Sequence, residues 1–490
     1  METVEDIIRK CGNISVKIRA LSTDNHSVNV NLYTRLKCRY PHPNASNGNF
    51  AILFDNMMTY LIFDVVHLIK NIRNNWLKIR RFRVTSFQAS VDVFDMHLAD
   101  KSFIDWNFLN KVFDIEHKTL LKKAPLITFA ALHPQNKKQN VPLALAIFDR
   151  RNSSAIEQLF PDDATAHSTS NFIKIVSVWW DILNSKSPNH SLQLANGIRP
   201  NDGKTDFLLK FALWVESWKT KNLQFFSEQT WKALVQSTRA IATLCNDLLN
   251  EDYDFILTSR FQTDALEKRF GRYRQISGGR FLVSLYELGK SEKIIKICQS
   301  LRHLDYDEYP IINASDDTDS LTVTDDDINN LSDDYSLSDT ENEVAVYISG
   351  YIAKKIRNLN CSSCGVFLNE NLIQSNDRRY IDALNRGGLT VPNELLHDSV
   401  CEVFSILMGN FSYFLKEKEK HSNFSEYVAS IVCKKLTLIE FSCEDHHVRS
   451  KKILISTCVN IIFNNYQKKM KDSIKRPNTQ LIKYSSKRRK

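Results

Sequence analysis

Four residues in the last third of the chain have metal-ligand chemistry: Cys361 and Cys364 in CSSC, then Cys443 and His446 in CEDH. Thiolates and an imidazole in two such pairs can close a tetrahedral zinc site. The gap between the pairs is far longer than within a zinc finger, and Cys401 and His447 are equally available by type. Two carboxylates stand out near the other end. VKIRALST alternates toward a strand and ends at Asp24, and TYLIF reads as a second strand ending at Asp64. Carboxylates at the C-terminal ends of strands are where α/β folds place working groups. The plain alternative is that each Asp caps the helix after it. Basic residues interleave through KNIRNNWLKIRRFR (Lys70, Arg73, Lys78, Arg80, Arg81, Arg83) and again at Lys268, Arg269, Arg272, Arg274 and Arg280. Such clusters suit phosphate contacts, which position DNA without reading its sequence.

These residues need elements to hold them. VEDIIRKCG reads as the end of an amphipathic helix, stopped at Gly12, and VVHLIKNIRNNWLKIRRF as a basic helix following Asp64. Beyond Lys122 the pattern changes to long, aromatic-rich helices: NFIKIVSVWWDILNSK, TDFLLKFALWVESWK and EQTWKALVQSTRAIATLCNDLL. That block reads as a helical domain of its own, with Trp179 and Trp180 in its core. Cys11, Cys38, Cys245, Cys298, Cys433 and Cys458 read as small core residues. Ten thinly spread cysteines suit a reducing compartment, and no apolar run is long enough to span a membrane.

Charge divides the 490 residues. Ser315–Glu343 holds eleven of the 56 acidic residues and none of the 65 basic ones. Such a segment repels itself and predicts a disordered linker. The rest of the chain is strongly basic, which favours a polyanionic partner through counterion release.

DVVHLIKNIRNNW, the segment ending WWDILN, and LTSRFQTDALEKRFGRYRQISGG resemble the matching blocks of P-element-type DNA transposases, relatives of the THAP-domain transposases. YISGYIAKKI resembles a further block of that family, in the same order. The resemblance implies an α/β plus α architecture. It comprises an incomplete ribonuclease-H-like catalytic domain, interrupted by a mostly helical GTP-binding insertion and followed by a mainly helical C-terminal domain. The expected limits are 1–121 and 258–313 for the two halves of the first domain, and 122–257 for the insertion. They are 314–343 for the acidic linker, 344–467 for the C-terminal domain and 468–490 for a frayed basic tail.

The family uses two Asp and one Glu to hold a pair of Mg²⁺ or Mn²⁺ ions for strand cleavage and joining. The resemblance places the second Asp at Asp24, in preference to Asp64, and the Glu at Glu267. The first Asp has no counterpart, so an N-terminally truncated chain, inactive by itself, is expected. The strand before Asp24 should then lie at an open sheet edge. Asp181, Asn184 and Asp264 match family positions that contact GTP, with Lys137 and Lys138 as candidate phosphate contacts. A carboxylate can accept from both N1–H and N2–H of guanine, which adenine cannot offer. Implied partners are DNA at transposon ends, GTP and further copies of the chain, but no membrane. The implied location is the nucleus, and a structural Zn²⁺ would occupy the Cys/His set. The competing expectation is a domesticated, non-enzymatic nuclear DNA-binding or regulatory protein.

Overall fold

The computed structural model describes residues 2–487 apart from 45–49, 93, 118, 191, 221–225, 280–281, 305–327, 329–330, 333–334, 375–378, 385–388, 418–423 and 437–441. Helix α1 (Glu2–Asn13) leads to β1 (Ala20–Thr23), α2 (Ser27–Arg39), β2 (Ala51–Phe54), β3 (Met57–Phe63) and α3 (Val65–Ile79). β2 and β3 form an antiparallel hairpin through Asp55 and Asn56, both at positive φ, as a tight two-residue turn requires. β1 pairs parallel to β3, with Thr23 opposite Phe63, giving the sheet order β1-β3-β2. Among the described residues β1 is an open edge, as expected, and its four residues are half-buried.

The basic helix ends earlier than its sequence suggests. Arg80 turns left-handed at φ 69°, and α3 stops at Ile79. Arg81 and Arg83 then lie on β4 (Arg81–Val84), where both guanidiniums sit over the Phe103 ring, at 4.1 and 4.5 Å. β4 pairs with β7 (Ser102–Asp105), and β5 (Phe87–Val91) with β6 (Phe94–Leu98), all antiparallel. The presumed basic patch is therefore divided. Lys78, Arg80, Arg81 and Arg83 are exposed, whereas Lys70 and Arg73 are buried.

Helices α4 (Asn107–Glu116), α5 (Phe129–Leu132), α6 (Val141–Leu145) and α7 (Arg150–Leu159) precede the three long ones, α8 (Ala164–Leu183), α9 (Lys204–Thr220) and α10 (Glu228–Leu249). They do not make a separate core. Trp76 of α3, fully buried, meets Trp106 edge-on at 5.0 Å and Phe172 of α8 at 5.2 Å. α10 packs on β3, where Ser237 Oγ accepts from the Phe63 N–H at 2.8 Å and Gln236 Nε2 donates to the Leu61 carbonyl at 3.0 Å. One continuous hydrophobic core runs from Ile8 to Ile256, because the aromatic faces of α8–α10 cover the sheet as well as each other. Trp179 lies in it, donating to Thr238, and Trp180 packs against it. Cys245 and Cys458 are core residues, Cys11 and Cys433 are half-buried, and Cys38 is exposed, against expectation. Cys298 lies outside the described side chains.

α11 (Asp264–Ile276) and α12 (Leu285–Leu304) close this half. A second core joins the helices Asp339–Arg357, Glu394–Gly409, Phe424–Lys435 and His447–Lys487. Much of the expected linker lies outside the described residues, but its end is ordered. Ser338 and Glu341 form a capping box that starts the first of these helices. Gly350 in that helix faces the Thr390 carbonyl so closely that any Cβ would collide with it. The last helix continues to Lys487 where a frayed tail was expected, with only residues 488–490 of that segment outside the described backbone. Among the described residues no helix is long and apolar enough to cross a membrane.

Candidate functional site

Parallel pairing of β1 with β3 brings Asp24 and Asp64 out at the same end of the sheet. The Asp64 N–H donates to the Thr23 carbonyl at 2.8 Å, so the two carboxylates leave adjacent strands side by side. Asp64 is 1% exposed and caps α3, its Oδ1 accepting from the Val66 N–H at 2.9 Å. Its Oδ2 accepts from the Thr263 hydroxyl. Thr263 occupies the N-cap position of α11 without capping it. Its hydroxyl instead fastens the start of that helix to Asp64.

Glu267 lies one turn into α11, mostly exposed, with Oε1 3.5 Å from Nε2 of His67. The ligand atoms of Asp64, His67 and Glu267 all lie within 4.8 Å of one another. Asp24 stands beside this group. Its carboxylate accepts from Asn29 Nδ2 at 2.7 Å and from the His26 N–H at 3.0 Å. The sequence preferred Asp24 over Asp64, whereas among the described residues Asp64 is the Asp that meets Glu267 directly.

Lys70, two turns into α3 and 6% exposed, lies in the field of all these carboxylates. Burial pulls its ammonium pKa below the usual value, and the charges of Glu267, Asp64, Asp24 and Asp264 oppose that shift. The charges of four acidic residues from three separate segments thus act on one lysine. Two carboxylates and an imidazole suit a divalent cation with a preference for oxygen and nitrogen ligands, such as Mg²⁺ or Mn²⁺.

The second constellation lies at the end of α8. Asp181 is in its last turn and Asn184 is its C-cap. The segment before α11 is sewn to this end: Thr258 Oγ1 donates to the Ile182 carbonyl at 2.6 Å, and Gln262 Nε2 donates to the Leu183 carbonyl at 2.9 Å. Gln262 Nε2 also lies 3.3 Å from Asn184 Oδ1. Those bonds fix the amide so that Gln262 Oε1 is a buried acceptor without a partner among the described residues. An orphaned acceptor next to Asn184 fits a ligand that brings N–H donors, as guanine does. Asp181 itself holds Arg150, with Nη2 and Oδ2 2.8 Å apart, both side chains about one-fifth exposed. Lys137 and Lys138 are exposed on a short turn whose Lys138 carbonyl accepts from Arg73 and Asn74. A cavity of about 710 Å³ opens elsewhere, between α2 and α10, and none of the sequence-predicted site residues lines it.

Of the second basic set, Arg269 is paired with Glu292 of α12, and Arg280 lies outside the described residues. Cys361, Cys364, Cys443 and His446 come together in the C-terminal body. Sequence reasoning missed four participants: His67, Arg150, Gln262 and Thr263. His67 was within reach, since it stands three residues after Asp64 on the same helical face. The other three carry no signal before the fold is known.

Two family models match the chain. Residues 66–195 match the TNP-like GTP-binding insertion domain, and residues 334–476 match the C-terminal domain of the DNA transposase THAP9. The Transposable element P transposase of Drosophila melanogaster is 24% identical over 463 residues, covering 86% of this chain. The chain spans 56% of that relative's length. The Drosophila P element transposase strand transfer complex superposes with a TM-score of 0.48 at 20% identity, over 62% of this chain and 65% of that one. Two separate domain matches and a relative aligned along most of the sequence agree on one likeness: the chain is similar to the P-element-type transposases.

Proposed function

We propose that the chain binds DNA and divalent cations where Asp64, His67 and Glu267 meet beside Asp24, in a ribonuclease-H-like half, and a guanine nucleotide at the end of α8. The convergence of Asp64, His67 and Glu267, in a field to which Asp24 and Asp264 add negative charge, supports this reading most strongly. Asp64, His67 and Glu267 would hold Mg²⁺ or Mn²⁺, which would supply Lewis-acid chemistry for phosphoryl transfer. The chain's own residues prepare that site. Thr263 holds α11 against Asp64, His67 faces Glu267, and Lys70 offsets the repulsion among the carboxylates.

The resemblance supplies counterparts for only one Asp and the Glu of the family's set. Strand cleavage by these 490 residues alone is therefore expected to be weak, with binding retained. DNA at transposon ends, assembly with further copies of the chain, and residence in the nucleus belong to the same proposal. The last rests on the basic KRRK end. The test is Mn²⁺ titration of the purified chain by calorimetry, alongside cleavage of labelled duplex DNA. Glu267→Gln and Asp64→Asn should each weaken Mn²⁺ binding at least tenfold. Undiminished binding in both variants would refute the metal site, and robust Mg²⁺-dependent cleavage lost in Glu267→Gln would refute the expected weakness. A tagged chain that stays wholly cytoplasmic would count against the nuclear assignment.

A further inference from the structure

We propose that Cys361, Cys364, Cys443 and His446 hold a structural zinc ion that ties together two segments of the C-terminal body. Cys361 is the N-cap of the short helix Ser362–Phe367, and Cys364 lies in its first turn. Cys443 is the N-cap of the turn Glu444–His446, which leads into the long helix His447–Lys487. Each pair therefore sits where the backbone is already folded into a turn. The Gly365 N–H donates to the Cys361 carbonyl at 3.0 Å, and the His446 N–H to the Cys443 carbonyl at 3.1 Å.

The geometry fits the ion closely. Cys443 Sγ lies 3.7 Å from Cys361 Sγ, 3.5 Å from Cys364 Sγ and 3.2 Å from His446 Nδ1. Zinc–sulfur and zinc–nitrogen bonds arranged tetrahedrally put two sulfurs about 3.8 Å apart, and a sulfur and a nitrogen about 3.5 Å apart. Small movements would close the shell. These separations are too long for a disulfide, and all three cysteines are free. Thiols are weak hydrogen-bonding groups, so their mutual attraction does not explain why three of them and an imidazole converge.

The donor set also selects the metal. Three thiolates and one imidazole favour zinc over magnesium or calcium, and four protein ligands leave no open position for catalysis. The fold decides between residues that the sequence left equivalent. Cys401 is turned away to His397 Nε2, at 3.3 Å, and to Asn342. The ligand set spans 82 residues between Cys361 and Cys443. Closing so long a loop with one ion constrains the unfolded chain strongly.

The test begins with the full chain purified without chelator. It should carry one zinc per chain by elemental analysis. Cobalt replacement should give the thiolate charge-transfer absorption and the intense visible bands of a tetrahedral sulfur-rich site. Cys443→Ser and His446→Ala should lose the metal, while His446→Cys and Cys401→Ser should keep it. Metal content of the unaltered chain and of His446→Cys decides the matter even if Cys443→Ser fails to fold. An unaltered chain that holds no zinc after incubation with excess zinc and desalting would overturn the proposal. So would loss of the metal in Cys401→Ser.

Discussion

Thr263 donates its hydroxyl to the Asp64 carboxylate across 199 residues of chain. The helix that carries Glu267 is thereby fastened to the helix that Asp64 caps. A hydrogen bond to a charged acceptor contributes about 1.5–3 kcal/mol. Thr263→Val should lower stability by about that amount, measured by urea denaturation, and weaken Mn²⁺ binding. Thr263→Ser should restore both. Unchanged Mn²⁺ affinity in Thr263→Val would show that the fastening serves stability alone.

Asp64 has a structural duty as well as a proposed ligand role, and one substitution separates them. Asn keeps the cap on the Val66 N–H but presents an amide NH₂ to Thr263 in place of the second carboxylate oxygen, so Asp64→Asn should cost no more than the about 1.5–3 kcal/mol lost in Thr263→Val. Its Mn²⁺ binding should nevertheless fall. Asp24→Asn, compared by the same calorimetry, ranks the two carboxylates. Equal losses would mean that both strand ends supply ligands.

For the nucleotide site, the expected outcome is a preference for GTP over ATP. Guanine offers a carboxylate two N–H donors that adenine lacks, a difference of about 1–3 kcal/mol, or about five- to 150-fold in affinity. Asp181→Ala should weaken GTP binding by a factor in that range and narrow the GTP-to-ATP ratio. Gln262→Leu removes the orphaned acceptor and should act in the same direction. Glu267→Gln should leave GTP binding intact. Equal affinity for the two nucleotides in calorimetry on the full chain would reduce the end of α8 to a scaffold.

Glu116 tests the connection between the two cores. Its carboxylate accepts from the Lys123 and Ala124 N–H groups at 2.9 and 3.0 Å, in a buried setting. Glu116→Ala should cost about 2 kcal/mol, because two buried donors lose their acceptor. Burial raises the Glu116 pKa above its usual value, with those two N–H groups and nearby lysine charges acting against it. A carboxyl raised in the folded state contributes stability that is full below its unfolded pKa and lost as pH rises through the folded one. Stability measured from about pH 4 upward should therefore decline less steeply in Glu116→Gln than in the unaltered chain.

The long helices α8–α10 were legible because each repeats its apolar residues for several turns. The four strands β4–β7 were not. Each is four or five residues long, and RFRV reads as the continuation of a basic helix. What ends α3 is a left-handed Arg80, a conformation for which arginine carries no sequence signal. Asp24 and Asp64 were recognisable as strand ends, yet their adjacency depends on strand order, which alternation cannot encode. Cys361 and Cys443 were recognisable as ligand types, while the choice of His446 over His447 and Cys401 needed the fold. Gln262 is an uncharged amide whose importance comes wholly from what its oxygen lacks.

Leu120 and Leu121 belong to the hydrophobic core of the C-terminal helices, although they lie between α4 and α5 of the first half. Asn465 donates to the Leu120 carbonyl at 2.9 Å, Tyr380 donates to that of Lys123, and the Lys123 ammonium pairs with Glu343. The C-terminal helices thus finish their interior with a plug borrowed from the other half. A protease that cut the acidic segment would leave two pieces still clasped, and a C-terminal piece expressed alone would carry a greasy, leucine-shaped socket inviting aggregation.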